Sequence, residues 1–200
     1  MDGILISFTT LLKVAEPGCA VRLWRSFVSA EAIAPNHENL ERLASDLYKT
    51  GLRTIKGNIA IDDSFFDEAR QIPGWDDGDE SCYSAPMGAL SVQFNTVWIT
   101  VYPSPMVGRR ALVSTTPKTG YFKIRNTAKT VRKGRTKLTI RLVQGRKHPE
   151  LIIWGRISKR DGGGLMTCRK IDEPSLYAGW TLFDYLTRQG IRAAGPAQDG

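Results

Sequence analysis

The sequence predicts an α+β protein in which a small antiparallel β sandwich or barrel is inserted into an α/β domain. Two amphipathic helical patterns, one beginning near Asn36 and one near Pro174, stand far apart in the chain. Between them, from Leu90 to Ile157, short runs rich in Val, Ile, Thr and aromatics are separated by Gly or Pro turns. The two patterns and the block between them imply helices and strands on either side of a β insertion. At 200 residues the chain is long enough for two small cores.

In chain order, "MDGILISFTTLLKVAEPGCA" comes first. Its apolar stretch is short and Asp2 stands where a signal peptide carries basic residues, so it is read as a core strand or irregular lead-in. In "PNHENLERLASDLYKTGL", Leu40, Leu43, Ala44 and Leu47 make one apolar stripe, Asn36 or Asn39 can cap the start, and Gly51 suits the stop. "TIKGNIAIDDS" follows as a strand with Ile55, Ile59 and Ile61 on one face. The stretch from Phe65 to Ala89 reads as a loop rich in acids and aromatics. Then come five strands, "SVQFNTVWITVYP", "RALVSTTP", "YFKIRNTAKTV", "TKLTIRLVQG" and "ELIIWGRIS". The second helix is "DEPSLYAGWTLFDYLTRQGI", with Pro174 in its first turn and Gly190 at its stop. Its inward stripe is expected at Leu176, Trp180 or Gly179, Phe183, and Leu186 or Thr187. Both helices end in Gly, then Leu or Ile, then Arg. The expected organisation is a divergent N-terminal segment over 1–36, an α/β insertion domain over 37–85 and 150–196, and a small basic β domain over 86–149.

Composition excludes several classes. With 42% hydrophobic and 24% charged residues the chain is globular rather than disordered. No apolar run reaches the roughly 18 residues of a membrane helix. The three cysteines form no Cys-x-x-Cys, and His37 and His148 are far apart, so neither a metal site nor a cofactor is expected. The odd cysteine count argues against a disulfide framework, though one pair can oxidise. The net charge of +8 is uneven. Tyr121 to His148 holds ten Lys or Arg and no acid, whereas Asp62 to Glu80 holds eight acids and one Arg. The basic block, with Tyr121, Phe122 and Trp154 among its cations, raises a nucleic-acid-binding β domain as an alternative. Its residues alternate well enough to be a solvated sheet face, so nucleic acid is not the favoured partner.

"GLRTIKGNIAIDDSFFD", "PGWDDGDESCYSAPMGALSVQFNTV", "TGYFKIRNTAKTV" and "CRKIDEPSLYAGWTLFDYLTRQGI", in that order, resemble D-alanyl-D-alanine carboxypeptidases of the class C low-molecular-mass penicillin-binding type. The resemblance covers roughly residues 40 to 196 and falls on domains inserted into the catalytic domain of that family. Residues 1–36 depart from it, because "GCAVRLWRSFVSAEAIAPN" stands where a Gly-rich turn is expected. Such enzymes work by acyl transfer from a serine activated by Ser-x-x-Lys, completed by Ser-x-Asn and Lys-Thr-Gly. No serine here has Lys three residues on, and neither Ser-x-Asn nor Tyr-x-Asn occurs. Lys118-Thr119-Gly120 is therefore read as a turn between strands, and Lys49-Thr50-Gly51 as the end of a helix. No catalytic residue is named.

The resemblance implies a substrate subsite at Pro73-Gly74-Trp75 and the residues that follow. Trp75 and Tyr83 match by type as its aromatic walls, and Asp77 is taken as its acid, with Asp76 and Asp79 as neighbours able to serve. An acid there pairs with a substrate amine. The implied partners are a peptidoglycan stem peptide and a catalytic domain missing from this sequence, and the implied location is periplasmic or otherwise extracytoplasmic. The sequence is thus read as a fragment or truncated homologue of a serine-type carboxypeptidase, with a non-catalytic peptidoglycan- or partner-binding module as the alternative.

Overall fold

The first helical pattern becomes α1 (His37–Lys49), opened where the Glu38 amide donates to the Asn36 side chain at 3.5 Å. The second becomes α2 (Pro174–Gln189), with Pro174 in its first turn. A computed structural model describes residues 4–7, 13–14, 36–56, 59–62, 82–88, 90–145 and 148–194. They fall into two compact units, one drawn from Met1–Trp75, Ala85–Asn95 and Ile171–Gly200, the other from Asp76–Ser84 and Thr96–Lys170. The second unit is thus inserted in sequence within the first, as the fold class anticipates.

In the first unit, a three-stranded sheet has β1 (Ile4–Ser7) between β2 (Lys13–Val14), antiparallel to it, and β3 (Ile59–Asp62), parallel to it. Ala44 and Leu47 of α1, Ile55, Ile59, and Leu182, Tyr185 and Leu186 of α2 share one core, with Leu40 and Leu43 packed against it. Each fully buried Leu or Ile contributes roughly 2 kcal/mol. The stripe expected on α2 is corrected. The buried face runs through Tyr177, Ala178, Gly179, Thr181, Leu182, Tyr185 and Leu186, so the expected Gly179 and Leu186 lie on it, while Leu176, Trp180 and Phe183 are half-buried, the last two meeting edge to face at 5.7 Å. α2 is covered over a broad face, so periodicity alone favoured its bulkiest residues. Thr181 is fully buried because its hydroxyl donates to the Tyr177 carbonyl at 2.7 Å.

The matching helix ends meet. Gly51 (φ 96°) and Gly190 (φ 92°) turn left-handed, a conformation glycine adopts without steric cost. The residues behind them then pair: the Arg192 amide donates to the Arg53 carbonyl at 3.0 Å and the Ile55 amide to the Arg192 carbonyl at 2.7 Å.

The second unit holds two sheets. One is antiparallel, with β4 (Thr96–Tyr102) between β5 (Leu112–Thr116) and β10 (Leu165–Lys170). The other is built around β9 (Glu150–Ser158), with β6 (Lys123–Asn126) and β7 (Lys129–Val131) along one edge and β8 (Lys137–Val143) along the other. Here the expected antiparallel pairing holds only for β8. β6 and β7 run parallel to β9, because β9, the longest strand, inserts between β7 and β8. Consequently Glu150–Lys170, grouped by sequence with the α/β part, pair within this unit. The sheets are joined on one side where the Ala111 amide donates to the Ala128 carbonyl at 2.8 Å and the Thr130 amide to the Arg109 carbonyl at 2.9 Å. On the other side the Arg169 guanidinium, from edge strand β10, donates to the Ile140 carbonyl of edge strand β8 at 2.5 and 3.1 Å. The result is a partly closed barrel. Val97, Ile99, Val101, Leu151, Ile153 and Ile157 are among its fully buried side chains. Cys82 and Cys168 form a disulfide with Cα atoms 5.8 Å apart.

Candidate functional site

Of the three candidate subsite residues, Trp75 and Asp77 lie outside the described residues. Tyr83 sits in a 3-10 turn, Cys82–Ser84, and its side chain is 85% exposed. The neighbouring Cys82 is bonded to Cys168 on β10, and Cys168 is itself paired with Trp98 on β4. The backbone under Tyr83 is therefore tied to the antiparallel sheet while the ring projects into solvent. An aromatic side chain held this way is available to a ligand at small entropic cost.

The first unit carries a feature that sequence reasoning missed. Gln93, Phe94 and Asn95 all have φ near +53°, three consecutive left-handed residues of which only Asn adopts that region readily. Their sequence, inside "SVQFNTVWITVYP", reads as strand, and β4 begins only at Thr96. The turn is held by the buried Asn95 side chain. It donates to the Pro86 carbonyl at 2.7 Å and to Ser91 Oγ at 2.9 Å, and accepts from the Val92 amide at 3.2 Å. The Gln93 side chain meets His37 Nδ1 at 2.8 Å, and Phe94 is left 77% exposed. The signal available in the sequence was Asn95, a residue that adopts the left-handed region and interrupts a β-branched run.

Lys118-Thr119-Gly120 occupies the connection between β5 and β6, with Lys118 exposed. Thr119 Oγ1 accepts from the Tyr121 amide at 3.2 Å, and Tyr121 and Phe122, both buried, anchor the end of the connection. The triplet lies in an irregular connection between the two strands. Among the described residues no group of three or more His, Cys, Asp or Glu is placed to hold a metal ion. No helix among them is long and apolar enough to cross a membrane. The Tyr185 phenol is pushed above its ordinary 10.0 chiefly by burial and then by the Glu41 carboxylate.

An α/β unit interrupted in sequence by a small β unit carries the motifs described above. The model of the D-Ala-D-Ala carboxypeptidase 3 (S13) family matches residues 34–198, and the chain belongs to that family. It is 28% identical over 164 residues to a D-alanyl-D-alanine carboxypeptidase of Actinomadura sp. (strain R39), a match spanning 79% of this chain and 30% of that protein. Penicillin binding protein 4 from Haemophilus influenzae shares the fold, with a TM-score of 0.55 and 16% identity over 82% of this chain and 37% of that one. The chain thus spans about a third of the length of these relatives.

Proposed function

We propose that these residues serve as the non-catalytic region of a serine-type D-Ala-D-Ala carboxypeptidase acting on cell-wall peptides outside the cytoplasm. The observation that carries this reading is a family match over 34–198 in a sequence with neither Ser-x-x-Lys nor Ser-x-Asn. In the family reaction a serine attacks the penultimate D-Ala carbonyl, terminal D-Ala leaves, and water resolves the acyl-enzyme. The serine, its lysine base and the functional Lys-Thr-Gly then belong to residues outside this sequence. The Cys82–Cys168 disulfide supports an oxidising compartment.

In this reading Trp75, Asp77 and Tyr83 border the substrate, the carboxylate facing an amine on the stem peptide and the aromatics walling the subsite. A partly exposed carboxylate–ammonium pair contributes on the order of 1 kcal/mol, so binding by this chain alone is weak, roughly millimolar. NMR titration with a peptide ending in D-Ala-D-Ala is expected to shift the Trp75 and Tyr83 resonances. Shifts confined to Lys123–Arg141, or none at saturating peptide, overturn the subsite.

A further inference from the structure

The outer face of the β9 sheet has a pattern that the carboxypeptidase reading does not use. Residues paired in register share a face of a sheet. The pairing places Arg125 and Arg141 on either side of Ile152, and Lys129 and Lys137 on either side of Arg156. Trp154 lies on β9 between these two rows, opposite Thr139, and its indole is 40% exposed. The five cations are all exposed. On the opposite face Leu151, Ile153 and Ile157 are fully buried, and β9 alternates between the two faces from Glu150 to Trp154.

The only acid in these four strands is Glu150, and Arg125 lies 3.4 Å from it. Neighbouring strands are about 5 Å apart and alternate residues about 7 Å apart. The cations therefore frame Trp154 at spacings of roughly one sugar ring. Gly155, at φ 110° with no room for a Cβ against the Lys137 carbonyl, fixes the backbone next to the indole.

We propose that this face binds an anionic polysaccharide, the indole stacking on a sugar ring while the Arg and Lys rows pair with carboxylate or phosphate groups on adjacent rings. A flat aromatic supplies the apolar surface for a ring face, and guanidinium groups supply fork-shaped donors for the anions. Two observations favour a glycan over a nucleic acid. The disulfide in the same unit places it in an oxidising compartment. The face also offers one aromatic, whereas single-stranded nucleic acid is held by successive stacked bases.

The test uses the full chain and soluble probes: polygalacturonate, phosphorylated dextran, unmodified dextran and a thymidine oligonucleotide. The Trp154 indole resonance, assigned by its loss in Trp154→Phe, is expected to shift with either anionic glycan and to stay in place with dextran; the tighter of the two names the anionic group. Arg125→Gln/Arg141→Gln/Arg156→Gln is expected to weaken glycan binding about tenfold. The charge-matched control Arg132→Gln/Lys133→Gln/Arg160→Gln, in flanking turns, is expected to change it less than about twofold. An equal loss in both variants reduces the effect to net charge and overturns the proposal. So does an unmoved indole with both anionic glycans, or oligonucleotide binding that is tighter and moves Trp154. Neither penicillin nor stem peptide enters this test, so its outcome is independent of the carboxypeptidase reading.

Discussion

In the helical unit, Gly51 and Gly190 end two helices and the backbone behind them pairs, so the closure is non-covalent. In the β unit, Cys82 and Cys168 are joined across 86 residues of chain. The first unit draws one core from two long helices and a strand. The second exposes one side of a four-stranded sheet to solvent and closes its two sheets at the edges through Arg169 and a short backbone bridge. Small folds with little interior commonly need a covalent tie. The comparison teaches where each unit is fragile: one depends on packing, the other on its cross-link.

Breaking the tie is expected to have the largest effect. Closing a loop of this length stabilises by about 4–5 kcal/mol. Reduction, or Cys82→Ser, is expected to lower amide protection in β4, β9 and β10 while leaving α1 and α2 protected. Hydrogen exchange read strand by strand checks this, and equal loss in both units would dissolve the distinction. Gly155→Ala comes next. A Cβ there meets the Lys137 carbonyl at 2.2 Å on a left-handed backbone, which is expected to cost about 3 kcal/mol, again within the β unit, read as a lowered urea midpoint of β9 exchange.

The helical unit is sharpened by pH. Tyr185 in the folded state holds its proton above the ordinary 10.0, through burial first and Glu41 second. The unfolded chain then ionises before the folded one. Stability from this group is complete below pH 10 and falls as pH rises through the raised value. Tyr185→Phe is expected to differ from the parent by a constant amount below pH 10 and to gain on it above, in urea melts followed through α2. A flat difference across that range counts against the burial assignment. The smallest effect belongs to Lys118→Ala, within roughly 0.5 kcal/mol of the parent melting free energy. Loss of a binding activity at unchanged Tm would show that the triplet is more than a connection.

Much of this architecture was legible because it is written locally. Asn36, Gly51, Pro174 and Gly190 mark helix ends by their own backbone preferences, and the Leu40–Leu47 stripe needs no partner to be read. Strands β4 to β9 were legible from β-branched composition, whereas Leu165–Lys170, with Arg and Lys among its residues, was not recognised as β10. What depends on distant partners was hidden. The parallel pairing of β6 and β7 with β9, the Cys82–Cys168 bond and the clustering of cations around Trp154 all arise from register, which no local pattern encodes. The left-handed run Gln93–Asn95 was hidden because it sits inside a β-rich stretch and is held by the Asn95 and Gln93 side-chain hydrogen bonds to residues outside it. Of the candidate subsite, the structure places Tyr83 on a disulfide-tied turn, and Trp75 and Asp77 lie outside the described residues.

The central claim, that these residues belong to the carboxypeptidase family without carrying its acylating serine, is tested most directly with a fluorescent penicillin. The purified chain is incubated with it and run on a denaturing gel. The account predicts no labelled band, because no serine here has a lysine one helical turn away. A band abolished by mutating a single serine of this sequence would contradict it.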